Sequence, residues 1–267
     1  MRGGAQSHLM RCLEGRRPRG EPLFGYYVVK FQQNPQHTRI LVNELLATRL
    51  AARLGLPTPR VEVIYVPEEL VRHTVELTFQ LGTRSLPCPH GFHFGSRIPG
   101  SDEEEQLATA VHDFLPDEQL AAVSNLDDFP GMLVFDKWTC NTNGRQAIFF
   151  LHPDGARHAA CMIDQGFCFN AGEWNFPDAP LRGLYARHRV YESVTGLDSF
   201  APWLARMEKI NEQFFSDVLG EIPAEWYDGD LGAVERLIEQ LLHRRPRVPE
   251  LILDAKNSYR QPFPNWR

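Results

Sequence analysis

The stretch FDKWTCNTNGRQAIFFLHPDGARHAACMIDQG, residues 135 to 166, constrains this chain more than any other. Asp136 and Asn141 stand five apart in what reads as a polar turn. An apolar run from Ala147 to Leu151, a turn at HPDG and a second apolar run from Ala159 to Ile163 follow, and Asp164 stands at the end of the second run. Two apolar runs joined by a Pro-Asp-Gly turn predict a β-hairpin. A hairpin doubles the chain back, so Asp164 is expected to return close to Asp136 and Asn141. Two carboxylates and an amide at one end of a hairpin are hard oxygen ligands. That set suits a magnesium–nucleotide site, because Mg²⁺ takes oxygen ligands and keeps phosphate and water in its shell.

Composition sets wide limits around this site. The 267 residues leave room for one large domain or two lobes with an ample core. A net charge of −6 argues against a general nucleic-acid binder, so no direct nucleic-acid partner is expected. No apolar run approaches the ~20 residues of a membrane span, and MRGGAQSHLMRCLEGRRPRG lacks the apolar core of a signal peptide. Cys12, Cys88, Cys140, Cys161 and Cys168 are odd in number and without framework spacing, which predicts reduced thiols in a cytoplasmic protein. Cys88, His90 and His93 lack a fourth ligand at regular spacing, so a Pro- and Gly-rich loop outweighs a metal site there.

Ahead of the hairpin, GGAQS at 3–7 precedes LMRCL, a basic Gly/Pro-rich link and YYVVKF, which together predict another hairpin. Consecutive N–H groups at such a loop, with the Ser7 hydroxyl, can cradle phosphates, although paired glycines at a chain start are often only a flexible lead. Almost no chain precedes them here, so a strand leading into the loop is expected to be short or missing. Lys30 ends the YYVV run, either as an ordinary charged strand end or as a lysine aimed at nucleotide phosphates. The next segment, TRILVNELLATRLAARLGL, predicts a helix with Leu41, Leu45, Leu46, Ala47, Leu50 and Leu54 on one face and a stop at Gly55 and Pro57. Glu44 sits beside that stripe. It either pairs with Lys30 or is a solvent-facing helix glutamate favoured by the dipole.

RVEVIYV and HTVELTFQL predict two further strands that complete a small sheet packed on the helix. Residues 82 to 100, dense in proline and glycine, read as a connector between lobes. After residue 100 the pattern turns helical: SDEEEQLATAVHDFL with Ser101 as cap, then PDEQLAAVSN. DDFPGMLVFDKWTCN carries expected core residues Phe129, Met132, Leu133, Phe135 and Trp138. DQGFCFNAGEWNFPDAPLRGLY reads as a loop, either ordered near a substrate or anchored at the surface by Trp174 and Phe176. FAPWLARMEKINEQFFSDVL and GAVERLIEQLLHRR predict helices, with Arg244, Arg245 and Arg247 suiting a helix C-terminus.

The order of parts, Asp136, Asn141, hairpin, Asp164, is that of a kinase catalytic loop. GGAQS, the lysine of VVKF, NELLATRLAARLGLPTP, DKWTCNTNGRQ and MIDQG together resemble the HipA-like kinases, relatives of the bacterial HipA toxin kinase and distantly of type II phosphatidylinositol 4-kinases. The resemblance implies an α+β, two-lobed, protein-kinase-like fold: a mainly β N-lobe with one helix over 1–95 and a mainly helical C-lobe over 96–267. It implies ATP- and Mg²⁺-dependent phosphorylation of a serine or threonine of a protein, with an antitoxin-like partner. Gly4, Ala5, Gln6 and Ser7 would form the phosphate loop, and Lys30 would contact the α/β-phosphates with Glu44 as its partner. Asp136 would orient the acceptor hydroxyl and take its proton, while Asn141 and Asp164 would hold magnesium. On that expectation, alanine at Asp136 or Asp164 abolishes transfer in a folded protein.

Two positions depart from the family pattern. Asn143 stands where relatives often carry an aspartate, and Asp164 is followed by Gln165-Gly166 where protein kinases have Phe-Gly. The alternatives are a pseudokinase-type nucleotide- or partner-binding module and a lipid or small-molecule kinase of the same fold. A metal-dependent hydrolase using His152 or His158 is disfavoured, because both flank the far end of the hairpin.

Overall fold

The computed structural model describes residues 4–99, 111–151 and 157–267. Strands β1 (His8–Arg16) and β2 (Pro22–Lys30) form the expected antiparallel hairpin, with a bulge between Leu13 and Gly15. Helix α1 (Ile40–Arg53) follows, then β3 (Val61–Val66) and a short helix α2 (Glu68–His73). Next come β4 (Thr78–Leu81), β5 (Arg84–Pro87) and β6 (Gly91–Arg97). The main sheet has the order β1-β2-β6-β3, and β4 and β5 pair only with each other.

This corrects the sequence reading of residues 73–100. The strand that completes the sheet lies inside the expected connector: β6 pairs with Tyr27–Lys30 on one side and with Val61–Val66 on the other. The HTVELTFQL segment is instead partly helical and partly a separate ribbon. Alternation marks a half-buried strand only where turn residues do not interrupt it, and Pro89, Gly91, Gly95 and Pro99 masked the strand. The expected division at residues 95 and 96 therefore falls within β6.

Helix α1 departs from a one-sided amphipathic helix in an informative way. One core cluster joins its apolar residues to Phe94 and Val61 of the sheet and also to Phe129–Trp138 of the helical half. The helix is thus covered from both directions, and Asn43 and Glu44 are buried along with the leucines. A smaller cluster (Tyr27, Val29, Phe31, Val66, Leu77, Phe79) fills the other face of the sheet beneath the β4–β5 ribbon.

The second half begins with α3 (Asp117–Ala121) and α4 (Phe129–Trp138). The expected 101–115 helix falls largely on residues outside those described, and 111–115 is not helical. All five expected core residues of α4 are at most 1% exposed. The hairpin is present as β7 (Gln146–Leu151) and β8 (His158–Ile163), paired from Gln146↔Ile163 to Leu151↔His158, and its turn lies outside the described residues. FAPWLARMEKINEQFFSDVL splits into α5 (Ala201–Glu208) and α6 (Glu212–Glu221), because the Asn211 side chain accepts the Phe214 N–H and starts a new helix. Helices α7 (Leu231–His243) and α8 (Val248–Lys256) complete a mixed α+β architecture. No helix among the described residues is long and apolar enough to cross a membrane. All five cysteines are free thiols.

Candidate active site

Three charged side chains from three separate elements meet between the sheet and the hairpin. Lys30, last residue of β2, donates to Glu44 of α1 and to Asp164 Oδ1 at 2.8 Å. The exposed-glutamate reading of Glu44 fails: its carboxylate is 3% exposed and the Lys30 side chain 10%. Burial pulls the Lys30 ammonium down, but Glu44 and Asp164 more than offset it, and its pKa is held above the ordinary lysine range. Burial likewise works against ionised Asp164, and Lys30 outweighs it, so the Asp164 pKa is lowered. Burial raises that of Glu44, with Lys30 opposing.

Glu44 has further partners that sequence reading missed. Its Oε2 accepts the N–H of Gln165 at 3.0 Å and its Oε1 that of Gly166 at 2.9 Å. The chain leaves β8 through Asp164 at φ 60, a left-handed turn that costs an L-residue about 1–2 kcal/mol. Gly166 is needed where it stands, since a Cβ there would lie 2.7 Å from the Ile40 side chain. The Asp164 carboxylate is 24% exposed, and its Oδ2 accepts from Gln146 at 2.7 Å.

Asp136 stands elsewhere than expected. It is not in the polar turn but in the last turn of α4, which ends as Thr139 Oγ1 donates back to the Phe135 carbonyl at 2.9 Å. Arg145 Nε donates to Asp136 Oδ2 at 2.9 Å, and another guanidinium nitrogen reaches Oδ1. Asn141 Nδ2 also donates to Oδ1, at 2.9 Å. Gly183, at φ +75, closes the remaining side so tightly that a Cβ there would lie 2.4 Å from Asp136 Cβ. The Asp136 side chain is 0% exposed. In this arrangement both Asp136 oxygens are engaged by Arg145 and Asn141.

The hairpin does bring Asp136 and Asp164 to one place, with Arg145 as the connector. Its third nitrogen donates to the Ile163 carbonyl at 2.9 Å, next to Asp164. Asn141 Oδ1 accepts the Asn143 N–H at 3.0 Å, and Asn143 is exposed. Lys137, buried beside Asp136, donates to the Pro180 and Arg182 carbonyls and lashes residues 180–182 to α4, and burial lowers its pKa to about 8. Arg244 adds bonds to the Lys137 and Phe176 carbonyls. A wholly apolar helix carrying one lysine beside an aspartate, and an arginine entering a buried strand, were the available signals for Lys137 and Arg145.

The Gly4–Ser7 loop reaches the same end of the sheet. His8 pairs with Val29, so Ser7 stands level with Lys30. Ala5 is buried and its carbonyl accepts from Asn34 at 2.8 Å. Gln6, at φ 46, is committed outward: its side chain exchanges two bonds with the backbone of Gln80. His93 uses both ring nitrogens, with Gln32 N at 3.2 Å and the Pro89 carbonyl at 2.9 Å, leaving none for a metal. Among the described residues no cluster of three histidine, cysteine or acidic side chains could hold a metal ion.

Comparison with known proteins adds to this geometry. A family model described as HipA-like kinase matches residues 25–244, a span that includes Lys30, Glu44, Asp136, Asn141 and Asp164 and leaves Gly4–Ser7 outside. No curated protein matches the sequence. Among solved structures, the crystal structure of the golgi casein kinase is similar at 11% identity and a TM-score of 0.42, over 96% of this chain and 74% of that one. With the family model matching well over half of the chain, the protein belongs to the HipA-like kinase family and is a phosphotransferase.

Proposed function

We propose that this kinase uses ATP and Mg²⁺ to phosphorylate a hydroxyl group, with a serine or threonine of a protein as acceptor. The observation that supports this best is Lys30 held between the Glu44 and Asp164 carboxylates. A buried ammonium so fixed is pre-aimed at phosphate oxygens, and its two partners come from elements that must both be in place. In this reading Lys30 meets the α/β-phosphates, Glu44 holds it, and Gly4, Ala5, Gln6 and Ser7 border the phosphates. The acceptor class and an antitoxin-like partner rest on the family resemblance, and a cytoplasmic setting on the reading of the cysteines as reduced thiols.

The donor set fits magnesium. Asp164 is partly exposed, and each of its oxygens keeps a lone pair beyond the bonds to Lys30 and Gln146. Asn141 Oδ1 accepts one N–H and can accept more. One carboxylate and one amide oxygen, without a full protein cage, match an ion that is completed by phosphate and water. Asp164 and Asn141 would hold it, and it would supply charge neutralisation at the transferred group. What remains for the protein in phosphoryl transfer is placement and electrostatics.

In this reading Asp136 contributes through its neighbours: it orients the Asn141 amide and neutralises Arg145, which in turn holds the backbone at Ile163. Incubation of the protein with γ-labelled ATP, Mg²⁺ and cell lysate, followed by mass spectrometry, tests the proposal. Label on serine or threonine of a protein is expected. Label on a lipid or small molecule would overturn the acceptor class, and Mg-ATP binding without any transfer would point to a binding module.

A further inference from the structure

The residue beside Glu44 has no role in the site as described so far, yet it is among the most committed polar groups in the molecule. Asn43 is 0% exposed. Its amide nitrogen donates to three carbonyls of one loop: Gly166 at 2.9 Å, Cys168 at 3.0 Å and Ala171 at 2.8 Å. Its oxygen accepts the Trp174 indole N–H at 2.8 Å. Two amide hydrogens serve three acceptors, so one is shared, and both the nitrogen and the oxygen of the side chain are engaged.

The loop it holds is the one that follows Asp164, and its backbone is unusual. Asp164, Phe169, Asn170, Ala171 and Trp174 have φ of 60, 59, 55, 58 and 52. L side chains disfavour this region, so a run of such residues persists only where the surroundings impose it. Adjacent residues of α1 impose it from two sides: Glu44 takes the N–H groups of Gln165 and Gly166, and Asn43 gives to the carbonyls beyond them. Arg39, at the start of the same helix, stacks 4.2 Å over the Trp174 ring and donates to the Gly172 carbonyl at 2.9 Å.

We infer that Asn43 is a positioning residue for phosphoryl transfer. By fixing the 166–174 loop it holds Asp164 in the left-handed conformation in which its carboxylate meets Lys30 and Gln146. This rests on the reading of Asp164 as a metal-holding residue. Helix α1 then sets both halves of the charged cluster, Lys30 through Glu44 and Asp164 through Asn43.

The test uses the full chain as wild type, Asn43→Asp (the same shape without the donors) and Trp174→Phe, which removes the indole bond to the Asn43 oxygen and trims the ring under Arg39 but leaves the three bonds of the Asn43 nitrogen in place. ATP affinity is measured with Mg²⁺ and again in EDTA. In Asn43→Asp the gain in affinity from Mg²⁺ is expected to fall by about tenfold or more, as for lost outer-shell support of a metal ligand, with affinity in EDTA little changed. Trp174→Phe is expected to stay near wild type. Equal losses with and without Mg²⁺, or a Trp174→Phe defect as large as that of Asn43→Asp, would overturn the assignment.

Hydrogen exchange of amides 165–174 is followed in the same samples and needs no nucleotide. Exchange faster by about tenfold in Asn43→Asp is expected, since local protection reports local opening. Unchanged protection would refute the positioning role even if the wild type proved not to bind ATP, an outcome that would separately sink the nucleotide reading. If the buried charge prevents Asn43→Asp from folding, Asn43→Ala carries the same expectations.

Discussion

Replacing Asp136 by asparagine removes one charge from a pair that no solvent touches. The Arg145 and Asp136 side chains are 1% and 0% exposed, and Arg145 spends its donors on both carboxylate oxygens and the Ile163 carbonyl. An amide can still accept one of those bonds but cannot balance the guanidinium. Breaking a buried pair at one partner costs about 3–5 kcal/mol, because it strands the other charge. At roughly 2–4 °C per kcal/mol for a chain of this size, the melting temperature should fall by roughly 6–20 °C. Thermal and urea melts of wild type, Asp136→Asn, Arg145→Met and the double variant Asp136→Leu/Arg145→Met check this. The double variant leaves no orphan charge and should be less destabilised than the sum of the singles. If Asp136→Asn melts within about 0.5 kcal/mol of wild type, the range of an ordinary surface change, the pair does not constrain Asp136. The residue would then be available as the proton acceptor.

Other outcomes follow from the same contacts. Asp164→Asn should cut phosphoryl transfer by about a hundredfold or more, while melting far closer to wild type than Asp136→Asn, because Asp164 is partly exposed; equal stability losses would contradict the split in their jobs. Burial lowers the His93 pKa from 6.5 to about 4, so between those values the unfolded chain binds a proton that the folded chain refuses. Stability is therefore lost as pH falls from 6.5 towards 4, by roughly 3 kcal/mol, and His93→Gln should flatten the pH–stability curve in that window; an unchanged slope would place the titration elsewhere. Gly183→Ala combines a left-handed backbone with a Cβ placed only 2.4 Å from Asp136 Cβ. It should cost roughly 2–5 kcal/mol in a urea melt, and a neutral result would mean that the 176–184 segment does not press on Asp136.

What the sequence disclosed follows the range of the forces involved. The hairpin, the buried α4 residues and α1 were legible because apolar periodicity is local. The Lys30–Glu44 pair was only half legible: one strand end and one helix turn allowed it, but an exposed helix glutamate fitted the pattern equally well, and the family resemblance alone favoured the pair. Asp136 was misplaced because an apolar helix running into polar residues gives no mark of its last turn; Thr139 and the left-handed Cys140 set that end only in three dimensions. Arg145 left only a faint signal and Asn43 none, for a different reason. Each looks like an ordinary polar residue until a distant segment arrives, Gly183 over Asp136 and residues 166–174 over α1. β6 was lost because its two partner strands, and not its own pattern, make it a strand.

The most direct test of the central claim, that Lys30, Glu44 and Asp164 form a metal–nucleotide site, is thermal melting with ATP in the presence and absence of Mg²⁺. Ligand at a hundred times its Kd adds about 2.7 kcal/mol, so wild type should gain roughly 5–10 °C with Mg-ATP. The Mg²⁺-dependent part of that gain should vanish in Asp164→Asn. A wild type indifferent to Mg-ATP, or an Asp164→Asn protein stabilised as fully as wild type, would contradict the account.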